Sequence, residues 1–280
     1  MDNKFFIIDF DSTFVTIEAL DTLAEIALED NAKKEEIVLQ IKGITQLGME
    51  GKMTFTETLE KRLPLFSANK SHIDILIKKL KKSITPSILR NKSFFKKNAS
   101  NIYILSGGFS EYIIPIVTAF GIPEKNILAN NFVFDKDNNI TGFNKKSLLS
   151  QKRGKVKAVN SLKLNGEKYV LGDGYTDYEI KKYGASDYFY CFTENVRRDS
   201  VANLADLEIT SFDELLFEIH AERSQSFPKS KMKVLLLENI HEIAVQAFKK
   251  EGYQVKTVSK ALSEKELIIE LKDVSILGIR

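Results

Sequence analysis

Residues suited to phosphoryl transfer come directly after three separate hydrophobic segments of the chain. Asp9 and Asp11 follow the first, residues 106–108 (SGG) follow the second, and Asp173 follows the third. A carboxylate can act as a covalent nucleophile towards phosphorus, but its charge repels a phosphate dianion unless a cation lies between them. Mg²⁺ prefers one or two carboxylates together with phosphate oxygens. These residues therefore predict phosphate chemistry with Mg²⁺ as the cofactor.

The segment at 106–108 offers groups that bind an oxyanion. Ser106 supplies a hydroxyl, and Gly107 and Gly108 let backbone N–H groups come close to a phosphate. A glycine pair after a strand, or an Asp-Gly pair, is ordinary turn chemistry when taken alone. Three such clusters in one chain, each after a hydrophobic segment, are a much more specific signal.

The hydrophobic segments predict the sheet that would bring these clusters together. Four short apolar segments are consistent with buried parallel strands: residues 5–8, 101–105, 168–171 and 187–192. A hairpin is predicted from residues 132–134 and 140–143. Helical spacing dominates from about residue 17 to 100, so strands and helices alternate as in a doubly wound α/β fold. Ligands bind at the carboxyl ends of the strands in such sheets.

The three clusters lie in motifs that resemble those of the haloacid dehalogenase superfamily and, within it, of the phosphoserine phosphatase family. The motifs are DFDST at 9–13, SGGF at 106–109 and GDGYTD at 172–177. The resemblance runs from about residue 4 to 217. It implies a haloacid dehalogenase-like, Rossmann-like parallel sheet with a helical cap.

The resemblance also implies a role for each motif residue. Asp9 would be the nucleophile and a metal ligand. Asp11 would act as general acid and then general base, and would bind Mg²⁺ through its carbonyl. Asp173 would bind Mg²⁺, with Asp177 as a further metal-site residue that supports it from nearby. The implied phosphate- and substrate-binding positions are Ser106, Gly107, Gly108, Thr176 and Arg198.

In the cap, the resemblance points to Glu18, Met49 and Arg62 as substrate-binding residues. Glu18 would face the substrate ammonium group, and Arg62 would bind the substrate carboxylate. The chemistry supports this pair independently, because phosphoserine carries both groups and a guanidinium suits bidentate binding of a carboxylate. The alternative interpretation is that Glu18 and Arg62 are ordinary charges on exposed helix faces.

One segment departs from the family pattern. The family has a lysine before the last catalytic strand, whereas Arg153 occupies the aligned position here, with Lys152 and Lys155 close by. Arginine keeps the positive charge but not the compact ammonium geometry. The sequence leaves open which of the three cations serves the phosphate site.

The domain boundaries follow from composition and from this resemblance. We expect a phosphatase domain over 1–221, with a core formed by 1–14 and 85–221 and a cap over about 15–84. The segment 222–231 is polar, contains a proline and is predicted to be a linker.

A further βαβ fragment is predicted over 232–280. It resembles the start of D-3-phosphoglycerate dehydrogenase, but no Gly-x-Gly-x-x-Gly fingerprint follows, so dehydrogenase activity is not expected. The fragment suggests a truncated form of a longer fusion. A piece of about 50 residues is marginal as an independent fold, so it is expected to be mobile or to rest on the phosphatase domain.

The function expected from the resemblance is Mg²⁺-dependent hydrolysis of O-phospho-L-serine through an aspartyl phosphate, the last step of serine biosynthesis. The first alternative is a phosphatase of the same superfamily for homoserine phosphate or a sugar phosphate, although a sugar phosphate needs neither Glu18 nor Arg62. The second is an idle scaffold that docks a partner enzyme. A nucleotide-binding module is disfavoured, because the phosphate loop lacks the required glycine-lysine pattern.

Bulk composition limits the remaining possibilities. The chain has 280 residues and a net charge of +3 from 41 basic and 38 acidic residues, so nothing demands nucleic acid or a membrane as partner. One cysteine, Cys191, allows no internal disulfide, which favours a reducing compartment. With no signal-like start, the expected location is the cytoplasm. A homodimer and contact with a serine-pathway dehydrogenase are both left open.

Overall fold

The predicted apolar segments form strands in the computed structural model, which describes residues 4–224 and 229–279. Their central residues are buried, as the continuous apolar segments indicate. Two further short strands and the expected hairpin complete this part of the chain. The strands are β1 (Lys4–Ile8), β2 (Ile102–Phe109), β3 (Ile127–Asn130), β4 (Phe132–Phe134), β5 (Ile140–Phe143), β6 (Glu167–Gly172), β7 (Tyr188–Phe192) and β8 (Leu207–Ile209).

Six of these strands form one parallel sheet in the order β3-β2-β1-β6-β7-β8. The strand order reverses between β1 and β6, which is where doubly wound sheets bind ligands. Ile8 of β1 pairs with Leu171 of β6, and the backbone N–H of Asp9 donates to the Leu171 carbonyl at 2.9 Å. The ends of β1 and β6 are therefore level, so the residues that follow them meet above the same edge. The predicted doubly wound fold is confirmed.

Helices surround the sheet and form the cap. Those of the cap are α1 (Ala19–Ala27), α2 (Lys34–Met49), α3 (Phe55–Arg62) and α4 (Lys70–Lys82). Those of the core are α5 (Pro86–Arg90), α6 (Lys92–Lys97), α7 (Ser110–Val117), α8 (Gly154–Ser161), α9 (Tyr175–Lys182) and α10 (Asp199–Ala202).

The antiparallel hairpin β4–β5 is confirmed and joins the cap. Asn139, in the hairpin turn, forms a bridge to Asn69 at the start of α4, and the backbone N–H of Ile140 donates to the Ala68 carbonyl at 2.8 Å. The helix α4 begins with a capping box in which Asn69 accepts hydrogen bonds from the first turn. The hairpin thus braces the last cap helix.

The strand β2 is longer than predicted. It was expected to end at residue 105, but it continues to Phe109, which pairs with Asn130 after a register shift that begins beyond Leu105. The side-chain amide of Asn130 donates to the Gly107 carbonyl at 2.8 Å. The glycine segment is therefore an irregular strand end held by β3 and not a free turn.

The chain divides into two compact units, Met1–Ile209 and Thr210–Arg280. The phosphatase domain over 1–221 with a linker at 222–231 stays a proposal, and residues 225–228 of that linker lie outside the described residues. The second unit contains α11 (Phe212–Glu218), β9 (Lys233–Leu237), α12 (Glu242–Lys250), β10 (Gln254–Val258), α13 (Glu264–Glu270) and β11 (Val274–Gly278).

The second unit is built on a three-stranded parallel sheet in the order β10-β9-β11. The central strand β9 is almost fully buried, and Val234 and Leu236 pack with Val245 of α12. Ile243, Ile268 and Ile269 are exposed on its helices. The βαβ order predicted from the sequence after residue 231 is confirmed.

Candidate active site

The loop after β1 carries two carboxylates into the core of the site. Asp9 is buried, and its Oδ1 accepts a hydrogen bond from the Phe10 N–H at 2.8 Å. Asp11 Oδ1 accepts a hydrogen bond of 2.7 Å from the backbone N–H of Ala19, which is the first residue of α1. Ser12 adopts a left-handed conformation with φ of 53°, which turns the chain sharply between the sheet and the cap. The loop therefore points both carboxylates into one cavity lined by core and cap residues.

Lys155 is the cation next to Asp9. Its Nζ lies 2.9 Å from Asp9 Oδ1 and 2.8 Å from Asp177 Oδ1, and its side chain is about one-tenth exposed. Burial lowers the pKa of Lys155, but the Asp177 and Asp9 charges outweigh burial and raise this pKa above its ordinary range. Arg153, in contrast, is exposed and stacks on the Tyr183 ring at 3.8 Å.

The positions of Lys155 and Arg153 favour the lysine as the phosphate-site cation. Lys152 and Arg153 both line the cavity, but both are exposed to solvent. The buried cation is Lys155, two residues after the position that aligns with the family lysine. The backbone explains this difference, because Arg153 adopts a left-handed conformation with φ of 54° just before α8 starts at Gly154. The helix then directs Lys155 inwards. We infer that Lys155 fills the role for which the sequence left three candidates.

Asp173 lies at the end of β6 and is fully buried. Thr13 donates to its Oδ1 at 2.9 Å, and the Arg198 guanidinium contacts its Oδ2. The second predicted acidic residue of this segment, Asp177, accepts from the Gly174 N–H at 3.2 Å besides pairing with Lys155. These contacts give Asp177 an indirect part in the site, through the lysine.

A magnesium ion fits the chemistry of these donors. Among residues 4–224 and 229–279, no three acidic, His or Cys side chains converge into a full ligand set. Mg²⁺ does not need one, since it usually takes one or two carboxylates and completes its shell with water, carbonyl and phosphate oxygens. Asp9 and Asp173 supply such carboxylates from the adjacent ends of β1 and β6.

The glycine segment forms the cavity floor beside Asp9. Ser106 is buried, and its Oγ accepts from the Gly108 N–H at 2.9 Å. A Cβ atom at position 107 would lie 2.5 Å from the Phe55 ring of the cap. Glycine at 107 thus lets the cap contact the floor directly.

Burial raises the pKa of Asp11 well above its usual range, and the nearby Glu18 charge adds to the effect. Burial also raises the pKa of Glu18, against the opposing effects of the Ser12 hydroxyl and the Arg198 charge. Both carboxyl groups are therefore protonated more readily than they would be in water.

The predicted cap residues reach the same cavity. Glu18 lies just before α1, accepts from the Ser12 hydroxyl at 2.7 Å and is 3.6 Å from Arg198. Met49, at the end of α2, lies over the turn that starts α9, with its Sδ 3.2 Å from a Cβ built on Gly174. Thr176, in the first turn of α9, also lines the cavity.

Arg62 is buried at the end of α3, so it is not an ordinary charge on an exposed helix face. Its Nη1 donates to Thr45 Oγ1 at 2.9 Å and lies 3.3 Å from Asp21 Oδ1. Its Nε donates to the Thr58 carbonyl at 3.3 Å. The guanidinium is therefore fixed by three cap helices.

Sequence reasoning missed Asp21, Thr45 and Thr58. Each lies three or four residues from a predicted site residue in the same helical region: Asp21 follows Glu18 by three, Thr45 precedes Met49 by four, and Thr58 precedes Arg62 by four. Residues at these spacings share one helix face. This helical spacing is the sequence feature from which the three residues could have been predicted.

The fold and the motif geometry define a phosphatase of the haloacid dehalogenase type. No protein-family profile matches the chain. A structure of a phosphoserine phosphohydrolase-like protein from Francisella tularensis is 30% identical, with a TM-score of 0.70, and the match covers 77% of this chain and 99% of that one.

Two sequence relatives identify the family. The chloroplastic phosphoserine phosphatase of Arabidopsis thaliana is 34% identical over 212 residues, covering 74% of this chain and 69% of that protein. The phosphoserine phosphatase of Homo sapiens is 30% identical over 217 residues, covering 75% of this chain and 91% of the human protein. The chain belongs to the phosphoserine phosphatase family.

A separate similarity concerns a shorter stretch. The D-3-phosphoglycerate dehydrogenase of Dictyostelium discoideum is 51% identical over 55 residues, which are 20% of this chain but 14% of that protein. The resemblance noted in the sequence from about residue 231 is confirmed. The chain spans about one-seventh of that relative, so the match carries no inference of dehydrogenase activity.

Proposed function

We propose that the protein hydrolyses O-phospho-L-serine to serine and phosphate through an aspartyl phosphate at Asp9, as the last step of serine biosynthesis. One observation carries the substrate assignment: a buried arginine and a glutamate of the cap line the same cavity as the Asp9–Lys155 pair. The cap pair matches the carboxylate and ammonium of phosphoserine, while the core matches its phosphate. Family membership supports the same reaction.

The bond-making step begins at Asp9. Its Oδ1 is held by Lys155 and by the Phe10 N–H, so Oδ2 is the oxygen that attacks phosphorus. The bond between phosphorus and the serine oxygen breaks as the new bond forms. Ser106 and the backbone N–H groups of the glycine segment hold the phosphoryl oxygens as charge moves between them.

Asp11 supplies the proton that the leaving serine oxygen needs. Its raised pKa favours the protonated form, and its Oδ1 is engaged by Ala19, so Oδ2 carries the proton. Once serine leaves, the ionised Asp11 takes a proton from water, which attacks the aspartyl phosphate and releases phosphate and free Asp9. General acid–base steps of this kind contribute roughly 10²–10⁴-fold in rate.

Asp9, Asp173 and the Asp11 carbonyl would hold Mg²⁺. When bound, the ion reduces the repulsion between the nucleophilic carboxylate and the phosphate dianion. Lys155, held by Asp177, places a second positive charge beside Asp9. Burial raises the pKa of Glu18, and an ammonium group bound beside it would favour its charged form.

The proposed location is the cytoplasm. The only cysteine, Cys191, is buried and unpaired, which is consistent with a reducing compartment. Across the described part of the chain, no helix has the length and apolar character needed to span a bilayer.

The test is phosphate release from L-phosphoserine with Mg²⁺, with and without EDTA, beside homoserine phosphate and p-nitrophenyl phosphate. We expect chelator-sensitive release that favours phosphoserine, and none from D9N. Release from the aryl phosphate alone would keep the chemistry and refute the substrate. EDTA-resistant release would refute the metal requirement.

A further inference from the structure

Tyr112 is a buried tyrosine whose hydroxyl has no partner. It lies in α7, three residues after the SGGF motif, and its side chain is fully buried against Phe10 and Phe109. Within residues 4–224 and 229–279, the hydroxyl makes no hydrogen bond. Leaving a buried hydroxyl unsatisfied costs free energy, so such groups in native proteins call for an explanation.

The hydroxyl lies at the cavity described above. A Cβ atom built on Gly108 would be 2.6 Å from the Tyr112 hydroxyl, 3.1 Å from Ser106 Oγ and 3.2 Å from Asp11 Oδ2. The three oxygens therefore surround one point on the cavity floor, and only glycine at 108 leaves that point free. Tyr112 also lines the cavity together with Arg62.

The hydrogen bonds of Arg62 show what this cavity lacks. Nη1 is engaged by Thr45 and Asp21, and Nε by the Thr58 carbonyl. Nη2 makes only a long contact, 3.4 Å, to Thr58 Oγ1. Nη2 is therefore the part of the guanidinium left for a substrate carboxylate. A carboxylate has two oxygens with about four acceptor sites, so a second donor is needed nearby.

We propose that Tyr112 determines specificity by donating its hydroxyl proton to the substrate carboxylate, beside Arg62. This assignment rests on the proposed function. Burial raises the pKa of Tyr112 well above its usual range, so the phenol keeps its proton near neutral pH. The substrate class is a phosphate ester that carries a carboxylate.

The experiment compares Y112F with the unmodified enzyme on two substrates. Phosphoethanolamine has the phosphate and ammonium of phosphoserine but no carboxylate. We expect Y112F to raise KM for phosphoserine roughly tenfold, the size of a lost hydrogen bond to a charged group, with kcat within about twofold. The kcat/KM for phosphoethanolamine should stay within about twofold. Y188F, which alters an exposed tyrosine of β7, is the matched control and should change neither substrate.

A stability measurement adds a readout that does not depend on turnover. Because the Tyr112 hydroxyl has no partner in the protein, the unliganded Y112F enzyme should unfold at the same temperature as the unmodified enzyme, or a higher one. A clear drop would mean that the hydroxyl bonds within the protein, and would overturn the assignment.

Two kinetic outcomes would also overturn it. Equal losses on both substrates would place the hydroxyl at the phosphoryl or Asp11 end of the cavity, and no loss on phosphoserine would show that it does not contact the carboxylate. An unmodified enzyme that leaves phosphoserine intact would refute the proposed function, and this assignment with it. An active enzyme with an unchanged Y112F variant would refute this assignment alone.

Discussion

The core and the cap contribute to the cavity in different ways. The core takes its charges from a strand end and from the first turns of two helices, and the Asp9–Lys155–Asp177 cluster joins two carboxylates to one ammonium. The cap takes its charges from within or beside its helices, and Arg62 is held by side chains of α1 and α2 and by a backbone carbonyl of α3. In the proposed function, the core groups bind what all phosphate esters share, whereas the cap groups bind what distinguishes phosphoserine. Reaction and selectivity should therefore be separable by mutation.

The largest effect tests the core. D9N should lower turnover of every phosphate ester by roughly 10⁴-fold or more, because an amide is no nucleophile and losses of this order follow removal of a nucleophile. Phosphate release from phosphoserine and from p-nitrophenyl phosphate would be measured side by side. Appreciable activity of D9N on either ester would contradict the covalent mechanism.

The second test decides which cation serves the core. K155M should reduce kcat roughly 10²–10³-fold on both esters, since it removes a charge held at the nucleophile. R153M, which alters the exposed arginine on Tyr183, is the matched control and should stay within about threefold. Thermal unfolding would separate lost catalysis from lost folding. If the two variants exchanged these results, Arg153 would be the functional cation.

The third test addresses the cap. R62A should reduce kcat/KM for phosphoserine roughly 10–100-fold, the size of one charged hydrogen bond, and have little effect on p-nitrophenyl phosphate. K61A, at the exposed neighbouring position, is the control and should leave both substrates unchanged. Equal losses of kcat/KM on the two esters would show that Arg62 has a structural role, and would contradict the assignment of selectivity to the cap.

The smallest expected effect concerns the support of Arg62. D21N keeps the size of the side chain and an oxygen for Thr45 but removes the charge beside the guanidinium. We expect KM for phosphoserine to rise about threefold to tenfold, with kcat nearly constant and p-nitrophenyl phosphate unaffected. A change in kcat alone would assign Asp21 to the chemical step instead.

The sequence predicted the centre of the sheet better than its edges. The strands β1, β6 and β7 each contain a continuous apolar segment whose last residues are buried, so their composition identifies them. The edge strands β3 and β8 were missed because they are only four and three residues long and contain Ala-Asn and Glu. Edge strands are defined by pairing with a neighbour, which composition does not reveal.

The same limit applies to the cavity. Asp9, Asp11 and Asp173 were recognisable because each follows a strand in a fixed motif. The inference that Lys155 rather than Arg153 serves the phosphate site depends on a left-handed residue before α8, which a motif alignment does not contain. The orphan hydroxyl of Tyr112 depends on packing between α7 and the glycine segment, and no spacing rule would have found it.

The contact between Phe55 and Gly107 has a practical consequence. The chain contains no tryptophan, and Phe55 belongs to the cap while Gly107 belongs to the floor. An indole introduced by F55W would be the sole strong fluorophore of the protein, at the seam where the cap contacts the cavity floor. Its emission should shift to longer wavelength if water enters that seam, so an optical signal would report any separation of the cap from the core in solution.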